Sequence, residues 1–410
     1  MRIFPRLALV AVILSSISSL AFDPKRLKVA FVIDTIDMPK SGAIVSAQRF
    51  AAELKDLVDL RIITTGDTKG DQNRTRLRGF YFPFVKETMK RNGFKFAYPD
   101  KALLLDAFKD ADLVYVHFPF YLGFKAVQWA RELHKPVVVG FHLQPENILH
   151  NIGIHSQMAV RKLYSVSVNN FYNMADYIIC PSPFSEGILK AIPTFKSETV
   201  VISNGLTRSF RPNRKQKPLI YEDAFVILTV GRLSQEKNHI TIIDAIAESK
   251  YKDKIQLIAT GDGAMKEELI ARSRQKGILA RFGYVSSEEL ISLYNSSDLY
   301  IHASEIELEG MSILEAIGTG LPAIISDSKE SASKQFALNP DFLFQNRNHK
   351  ELASKIDYWF ENEQRLKEVG HEYAKSAEKY YIEASVARVL ETFQQAVAKN
   401  QARLATKAVQ

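Results

Sequence analysis

The stretch 300-YIHASEIELEGMSILEAIGTGLPAIISD-327 decides the reading of this 410-residue chain. It predicts a short strand over 299–303, an acidic turn, a short helix from about Ser312 to Ile317, and a second strand after Gly320-Leu321-Pro322. Glu307 falls in the turn and Glu315 on the helix, with seven residues between them. The backbone N–H groups around Gly310, Met311 and Ser312 open the helix, so they lack intrahelical acceptors and attract phosphate. Carboxylates accept hydrogen bonds from sugar hydroxyls but repel phosphate. A helix end flanked by two glutamates therefore suits a ligand with both parts, such as a nucleotide-sugar. The same spacing fits an acidic loop capping an ordinary βα unit, and spacing alone leaves both open.

Upstream, the pattern of the second half is strand, turn, helix throughout. A strand over 225–230 runs into Gly231-Arg232-Leu233-Ser234-Gln235-Glu236-Lys237-Asn238 and then a helix over 240–247. Arg232 and Lys237 thus sit on a loop entering a helix, where two cations can neutralise a diphosphate, the lysine as a point charge and the arginine as a fork. A solvated loop is the competing reading. A strand over 255–260, the turn Gly261-Asp262-Gly263, a helix over 264–275, a turn at Phe282-Gly283-Tyr284 and a helix over 286–296 complete this half. The tail reads as helical from about 350, and Val386, Val389, Leu390, Phe393, Ala396 and Val397 recur at helical spacing. That last helix is long enough to cross back to the first half.

The first half opens the same way: a buried-strand run, LKVAFVID, over 27–34, a loop with Gly42, then a helix over 43–54. A single glycine is a weak phosphate signal. Strands over 113–117 and 136–140 end next to His117 and His142, at the strand ends where α/β sheets bind ligands. Between 72 and 96 the rhythm breaks. Arg74, Arg76, Arg78, Lys86, Lys90, Arg91 and Lys95 interleave with six aromatic rings, a mixture that suits a bilayer interface or nucleic acid, or an ordinary packed insertion. The polar segment RSFRPNRKQKP over 208–218 has linker composition.

Bulk properties bound the answer. The length allows two domains of roughly 180–200 residues. Apolar content of 46% and charged content of 24% are those of a globular protein. One cysteine, Cys180, rules out an intramolecular disulfide framework, and no Cys/His group has zinc spacing. Residues 1–200 carry 26 Lys+Arg against 18 Asp+Glu, and residues 201–410 carry 28 against 28, so the whole net charge of +8 lies in the first half. That half is expected to face something anionic. Met1–Phe22 has two arginines, an apolar run and a small-x-small site, the grammar of an export signal, although an uncleaved anchor or an upstream extension absent from the mature chain fits as well.

Taken together, these motifs resemble the retaining glycosyltransferases of the two-domain GT-B fold, in the large fourth family. The carriers are Gly42, VGRLSQEKN at 230–238, GDG at 261–263, FGYV at 282–285, ELEGMSILE at 307–315 and GLPAIISD at 320–327. SGAIVSAQRFAAEL at 41–54, GFHLQPENI at 140–148, DSKESASKQFAL at 327–338 and KIDYWFENE at 355–363 are similar to the bacterial diacylglycerol α-glucosyltransferases.

The resemblance implies an α/β fold of two doubly wound parallel sheets across a cleft. It divides the chain into a leader (1–27), an acceptor-binding domain (28–204), a nucleotide-sugar domain (205–384) and a crossover helix (385–410). Arg232 and Lys237 would bind the leaving diphosphate, Glu307 the donor-sugar hydroxyls and Glu315 the ribose. Gly310, Met311 and Ser312 would touch phosphate and sugar through their backbone, and Gly42 would let the opposite loop approach the diphosphate. His142 would sit beside the reacting sugar and His117 in the acceptor pocket, with Arg74, Arg76, Lys86, Lys90 and Arg91 at an anionic membrane. No cofactor or metal is expected beyond the UDP-sugar: the one Asp-x-Asp, Asp110-Ala111-Asp112, reads as a turn. The expected reaction transfers a hexose, glucose first, to a lipid acceptor, diacylglycerol first, at the cytoplasmic face of the inner membrane. A polyprenyl-linked or lipopolysaccharide sugar acceptor is the alternative within enzymes, and an exported sugar-binding protein the alternative outside them. The exported protein would explain the leader but not the four charged residues together. Nucleic acid is not an expected partner, for no reading module is present.

Overall fold

The computed structural model describes residues 26–38, 41–66, 71–83, 86–91, 93–150, 153–154 and 156–409. The expectations for Met1–Phe22 lie outside the described residues. The strands of the first half are β1 (Lys28–Val32), β2 (Asp59–Thr64), β3 (Arg74–Arg76), β4 (Gly79–Phe80), β5 (Phe96–Ala97), β6 (Leu113–Val116), β7 (Val137–Gly140), β8 (Tyr177–Cys180) and β9 (Glu198–Val201). Those of the second are β10 (Phe225–Val230), β11 (Ile255–Thr260), β12 (Leu279–Gly283), β13 (Leu299–His302), β14 (Ala323–Ser326) and β15 (Leu343–Phe344). Two parallel sheets result, ordered β3-β2-β1-β6-β7-β8-β9 and β12-β11-β10-β13-β14-β15, with β4 and β5 a separate antiparallel pair. The central strands are short apolar runs such as LVYV and VVVG, buried at every position. A strand covered by helices on both faces needs that composition.

Period-two alternation sorts the first sheet into two cores. Ala30, Val32, Val114 and Val116 join one, while Val29, Phe31, Leu113 and Tyr115 join the other. The second core is closed by the C-terminal helix Ile382–Val409, through Ile382, Val386, Val389, Phe393, Ala396 and Val397. Burying a side chain such as Phe393 contributes roughly 1.5–3 kcal/mol. The tail therefore does cross back onto the first sheet. The two crossings run side by side: Leu206 N–H donates to the Tyr380 carbonyl at 2.7 Å, and Ile382 N–H to the Leu206 carbonyl at 2.9 Å. No described helix is long and apolar enough to cross a membrane.

Two local expectations are corrected. Phe282-Gly283 is not a turn; it ends β12, which pairs in parallel with β11 from Leu279 opposite Gln256 to Gly283 opposite Thr260. β12 is an edge strand with little buried surface, so LARFG carries no continuous apolar signal. The basic stretch also begins inside the sheet: Arg74–Arg76 is an edge strand with Thr75 facing inward.

Candidate active site

In each sheet the strand order reverses beside the first strand of the half, β1 against β6 and β10 against β13. Ligands of such sheets bind at those switch points, outside the carboxyl ends of the strands. The site residues lie there.

After β13 the chain makes a loop and enters helix Met311–Gly318 through Gly310, whose φ is 100°. A Cβ at Gly310 would come within 2.5 Å of the Ser333 Oγ and 2.8 Å of Ile313 Cγ2. The loop sends successive side chains to different places. Glu307 takes an ion pair from Lys237 Nζ and lies 3.5 Å from His302 Nε2. Leu308 packs into the first sheet's core, and its carbonyl accepts from Ser182 Oγ at 2.5 Å. Glu309 accepts from the backbone N and the Nδ2 of Asn204, at 2.9 and 2.7 Å.

Lys237 ends a short 3-10 turn, Gln235–Lys237, and Asn238 in the left-handed region (φ 50°) starts helix His239–Glu248. Burial opposes the charge of Glu307, but attraction to Lys237 and the contact with His302 outweigh it and hold the carboxyl well below the usual range. His302 is pushed down by burial even so. Arg232 donates to Glu236 Oε1 at 2.9 Å, and buried Glu236 also accepts from Ser234 Oγ at 2.7 Å. Glu315 accepts from Arg49 at 2.5 Å on one oxygen and from the Tyr294 hydroxyl at 3.1 Å on the other. Each cation of the site is thus already matched by a carboxylate. An anion entering here would have to share these cations, and helix N-termini add attraction for it.

From the other sheet, Gly42 opens helix Gly42–Leu54 and abuts Met311: a Cβ there would sit 3.5 Å from the Met311 Sδ. His142 and His117 stack with ring centroids 4.2 Å apart. His117 Nε2 lies 3.0 Å from the Ala43 carbonyl, and the Tyr115 hydroxyl lies 3.0 Å from His117 Nδ1 and 3.3 Å from His142 Nε2. A carbonyl only accepts, so His117 donates from Nε2 and accepts the Tyr115 proton at Nδ1. The Tyr115 oxygen then accepts from His142 Nε2, which leaves His142 Nδ1 with its lone pair. Burial pushes His142 down to about 4, and burial together with the neighbouring His142 holds His117 well below the usual imidazole range, so both are neutral at pH 7. His117 is fully buried with both nitrogens engaged, and its place is beneath His142 rather than at a pocket wall.

The aromatic part of 72–96 is a ring cluster. Phe80 and Phe96 pair across β4 and β5 with centroids 5.8 Å apart, and Phe82, Phe94, Phe118 and Phe120 join them. Phe82, Tyr98 and Tyr121 keep about half their surface exposed. Arg74 pairs with Asp37 at 2.7 Å and Asp71 at 3.4 Å, and Lys90 with Glu87 at 3.2 Å. Arg76 and Lys86 are exposed, and the Arg91 side chain lies outside the described residues.

The sequence reading missed Ser46, Arg49, Asn204 and Glu309. Ser46 and Arg49 follow Gly42 by four and seven residues, one helix face, which is a usable signal. Nothing in the sequence marks that face as opposite Glu309 and Glu315.

Residues 40–210 match the family described as Glycosyltransferase Family 4, and residues 210–379 the family described as Glycosyl transferases group 1. The two matches adjoin and together take in well over half of the chain, which belongs to the glycosyltransferases of the GT-B fold class. An alpha-monoglucosyldiacylglycerol synthase of Streptococcus pneumoniae is 28% identical over 320 residues, 73% of this chain and 70% of that protein. A GDP-mannose-dependent alpha-mannosyltransferase of Mycolicibacterium smegmatis is 26% identical over 225 residues, 53% of this chain and 56% of that protein. The Anabaena HepE structure with UDP and glucose has a TM-score of 0.70 at 20% identity, over 90% of this chain and 100% of that one, a likeness of fold.

Proposed function

We propose that this glycosyltransferase moves glucose from UDP-glucose to a membrane lipid, diacylglycerol, with retention at the anomeric carbon. The observation that carries the reading is the half-buried Lys237–Glu307 pair beside the entry to helix Met311–Gly318, with Arg232 on the same side and Gly42 against Met311. Residues 205–384 then serve the donor and residues 28–204 the acceptor. Lys237 and Arg232 hold the diphosphate, Glu307 the sugar hydroxyls, Glu315 the ribose, and backbone groups of Gly310, Met311 and Ser312 the phosphate and sugar.

The reaction breaks the bond from the anomeric carbon to the β-phosphate oxygen and forms one to the acceptor oxygen on the same face. The acceptor proton passes to the departing phosphate. The leaving group gathers negative charge in the transition state, where Lys237, Arg232 and the helix end stabilise it without a metal. Neutral His142 accepts a hydrogen bond at Nδ1 from a sugar or acceptor hydroxyl. The lipid acceptor rests on the pneumococcal relative's name and on the exposed rings and cations of 76–121.

The test is product analysis with UDP-glucose, UDP-galactose and GDP-mannose over diacylglycerol vesicles. Lipid-linked glucose from UDP-glucose is expected. Mannose transfer from GDP-mannose alone would redirect the donor, and binding of free sugar without nucleotide would replace the enzyme by a sugar-binding protein. Nucleotide-sugars are cytoplasmic, so the active site is placed at the cytoplasmic face, with the protein peripheral or anchored through its first residues. Unchanged activity and membrane fractionation after truncation to Arg26 would remove the anchor.

A further inference from the structure

Helix Gly42–Leu54 turns one face, Gly42, Ser46 and Arg49, toward the donor half. Residues spaced four and three apart stand one above another on a helix. Gly42 abuts Met311. Ser46 Oγ donates to Asn204 Oδ1 at 2.7 Å, and Asn204 donates twice to Glu309. Arg49 donates from Nη2 to Glu315 Oε1 at 2.5 Å and from Nη1 to the Gly205 carbonyl at 3.4 Å, with its guanidinium 5.5 Å from the Phe210 ring centroid. This one side chain touches the first sheet's helix, the crossing segment and the donor helix. Its partner is 266 residues away in sequence.

The pair is not a surface ornament. The Arg49 and Glu315 side chains are 13% and 9% exposed. Exposed ion pairs contribute little because water screens them, whereas removing one member of a buried pair strands the other charge. Glu315 has its second oxygen against the Tyr294 hydroxyl, which also lies 3.0 Å from the Ser312 carbonyl at the start of the same helix. The carboxylate orientation is thus set from both sides, by its own half through Tyr294 and by the opposite half through Arg49. Lysine cannot reproduce this, because a point charge lacks the planar fork that reaches a carboxylate and a carbonyl while lying over a ring.

We infer that Arg49 is a positioning residue that fixes the Glu315 carboxylate from across the cleft, so that the grip on the nucleotide ribose forms only while the two halves are held together. The inference rests on the reading above that Glu315 meets the ribose. Arg49 touches neither the sugar nor the diphosphate, and its loss acts through Glu315 on donor affinity more than on turnover.

The experiment uses the full chain and the variants Arg49→Gln, Arg49→Lys, Glu315→Gln and the double variant R49Q/E315Q. Hydrogen exchange without nucleotide is expected to speed up at least tenfold over 309–318 in Arg49→Gln, with Arg49→Lys between it and the wild type. UDP titration and donor KM are expected to weaken at least tenfold in Arg49→Gln, with kcat within threefold. The double variant should bind UDP no worse than Glu315→Gln, because the arginine has nothing left to position. Wild-type exchange over 309–318 in a folded Arg49→Gln, together with UDP affinity within twofold of wild type, overturns the inference. If Arg49→Gln does not fold, Arg49→Lys decides: wild-type exchange and affinity there overturn it too. Should the wild type bind neither UDP nor GDP, the functional reading fails, while the exchange data still decide whether Arg49 straps the two halves.

Discussion

Lys237 and Glu307 are each other's solvent, so neither can be removed in isolation. Lys237→Ala strands a half-buried carboxylate, at a cost below the roughly 3–5 kcal/mol of breaking a fully buried pair. Glu307→Gln keeps a side chain of the same size but leaves Lys237 without its counter-charge, so it should lower the melting temperature while the protein still folds. Both should lower transfer, Lys237→Ala by roughly 10²–10³-fold because a cation at the leaving group is lost. Glu307→Gln with near-wild-type turnover would take Glu307 out of the site. Glu309 makes an opposite pH statement. Burial pushes its carboxyl from the ordinary 4.5 up to about 7, against the hydrogen bonds from Ser203 and Asn204 and the charge of Arg49. A raised folded value means that its stability contribution is full below 4.5 and is lost as pH rises through about 7. Its Oε1 has no hydrogen-bond partner among the described residues, so an amide there displaces no bond seen among them. Glu309→Gln should therefore stabilise the protein by about 2–3 kcal/mol at pH 8 and by little at pH 4.5. Denaturant melts at the two pH values check this; an equal effect at both would refute it.

The two glycines that open helices Gly42–Leu54 and Met311–Gly318 separate structure from function. Gly310 is held at φ 100° with Ser333 and Ile313 in the space of a Cβ. Gly310→Ala is expected to destabilise by at least about 1–2 kcal/mol from the backbone alone. Gly42 has ordinary van der Waals room, with Met311 at 3.5 Å. Gly42→Ala should keep the melting temperature and, on the proposed reading of Gly42 as the loop that approaches the diphosphate, still weaken UDP binding. A loss of stability in Gly42→Ala comparable to that in Gly310→Ala would show that Gly42 is only a packing glycine. Elements of this kind were legible in the sequence to unequal degrees. The runs around β1, β10, β13 and β14 are apolar at all but one position each, which doubly covered strands need, so the two halves could be seen to restart the same fold. Arg232, Lys237 and Glu307 before their helices, and Glu315 on its helix, were visible because their chemistry is unusual beside a strand end. β12 was not, since an edge strand has too little buried surface to leave a pattern. Arg49 was not, since helix periodicity shows a face but not what lies opposite it. The basic-aromatic stretch was seen whole, yet its rings divide between a cluster on the core and a few at the surface, and only packing decides which.

Across the whole molecule the charge is as lopsided as the chemistry: the excess cations lie in the first half, the one assigned to the acceptor. Ion pairing reduces what that excess can offer a membrane. Arg74 is pinned by Asp37 and Asp71, and Lys90 by Glu87, while Arg76 and Lys86 are exposed. A cation near an anionic bilayer contributes about 1 kcal/mol, and that contribution decays within a Debye length. Exposed rings contribute through burial at the headgroup boundary, which salt does not screen. The two sources are therefore separable. Replacing Arg76 and Lys86 by Gln should weaken binding to anionic vesicles by roughly 10–30-fold at low salt, the effect fading as salt rises. Replacing Phe82, Tyr98 and Tyr121 by Ser should weaken it at every salt concentration and on neutral vesicles too. Co-sedimentation across a salt series reads both. Arg74→Gln should do less than Arg76→Gln, because its charge is already answered by two carboxylates. If neither set changes vesicle binding, the stretch 76–121 does not face a membrane, and the lipid acceptor must reach the cleft by another surface.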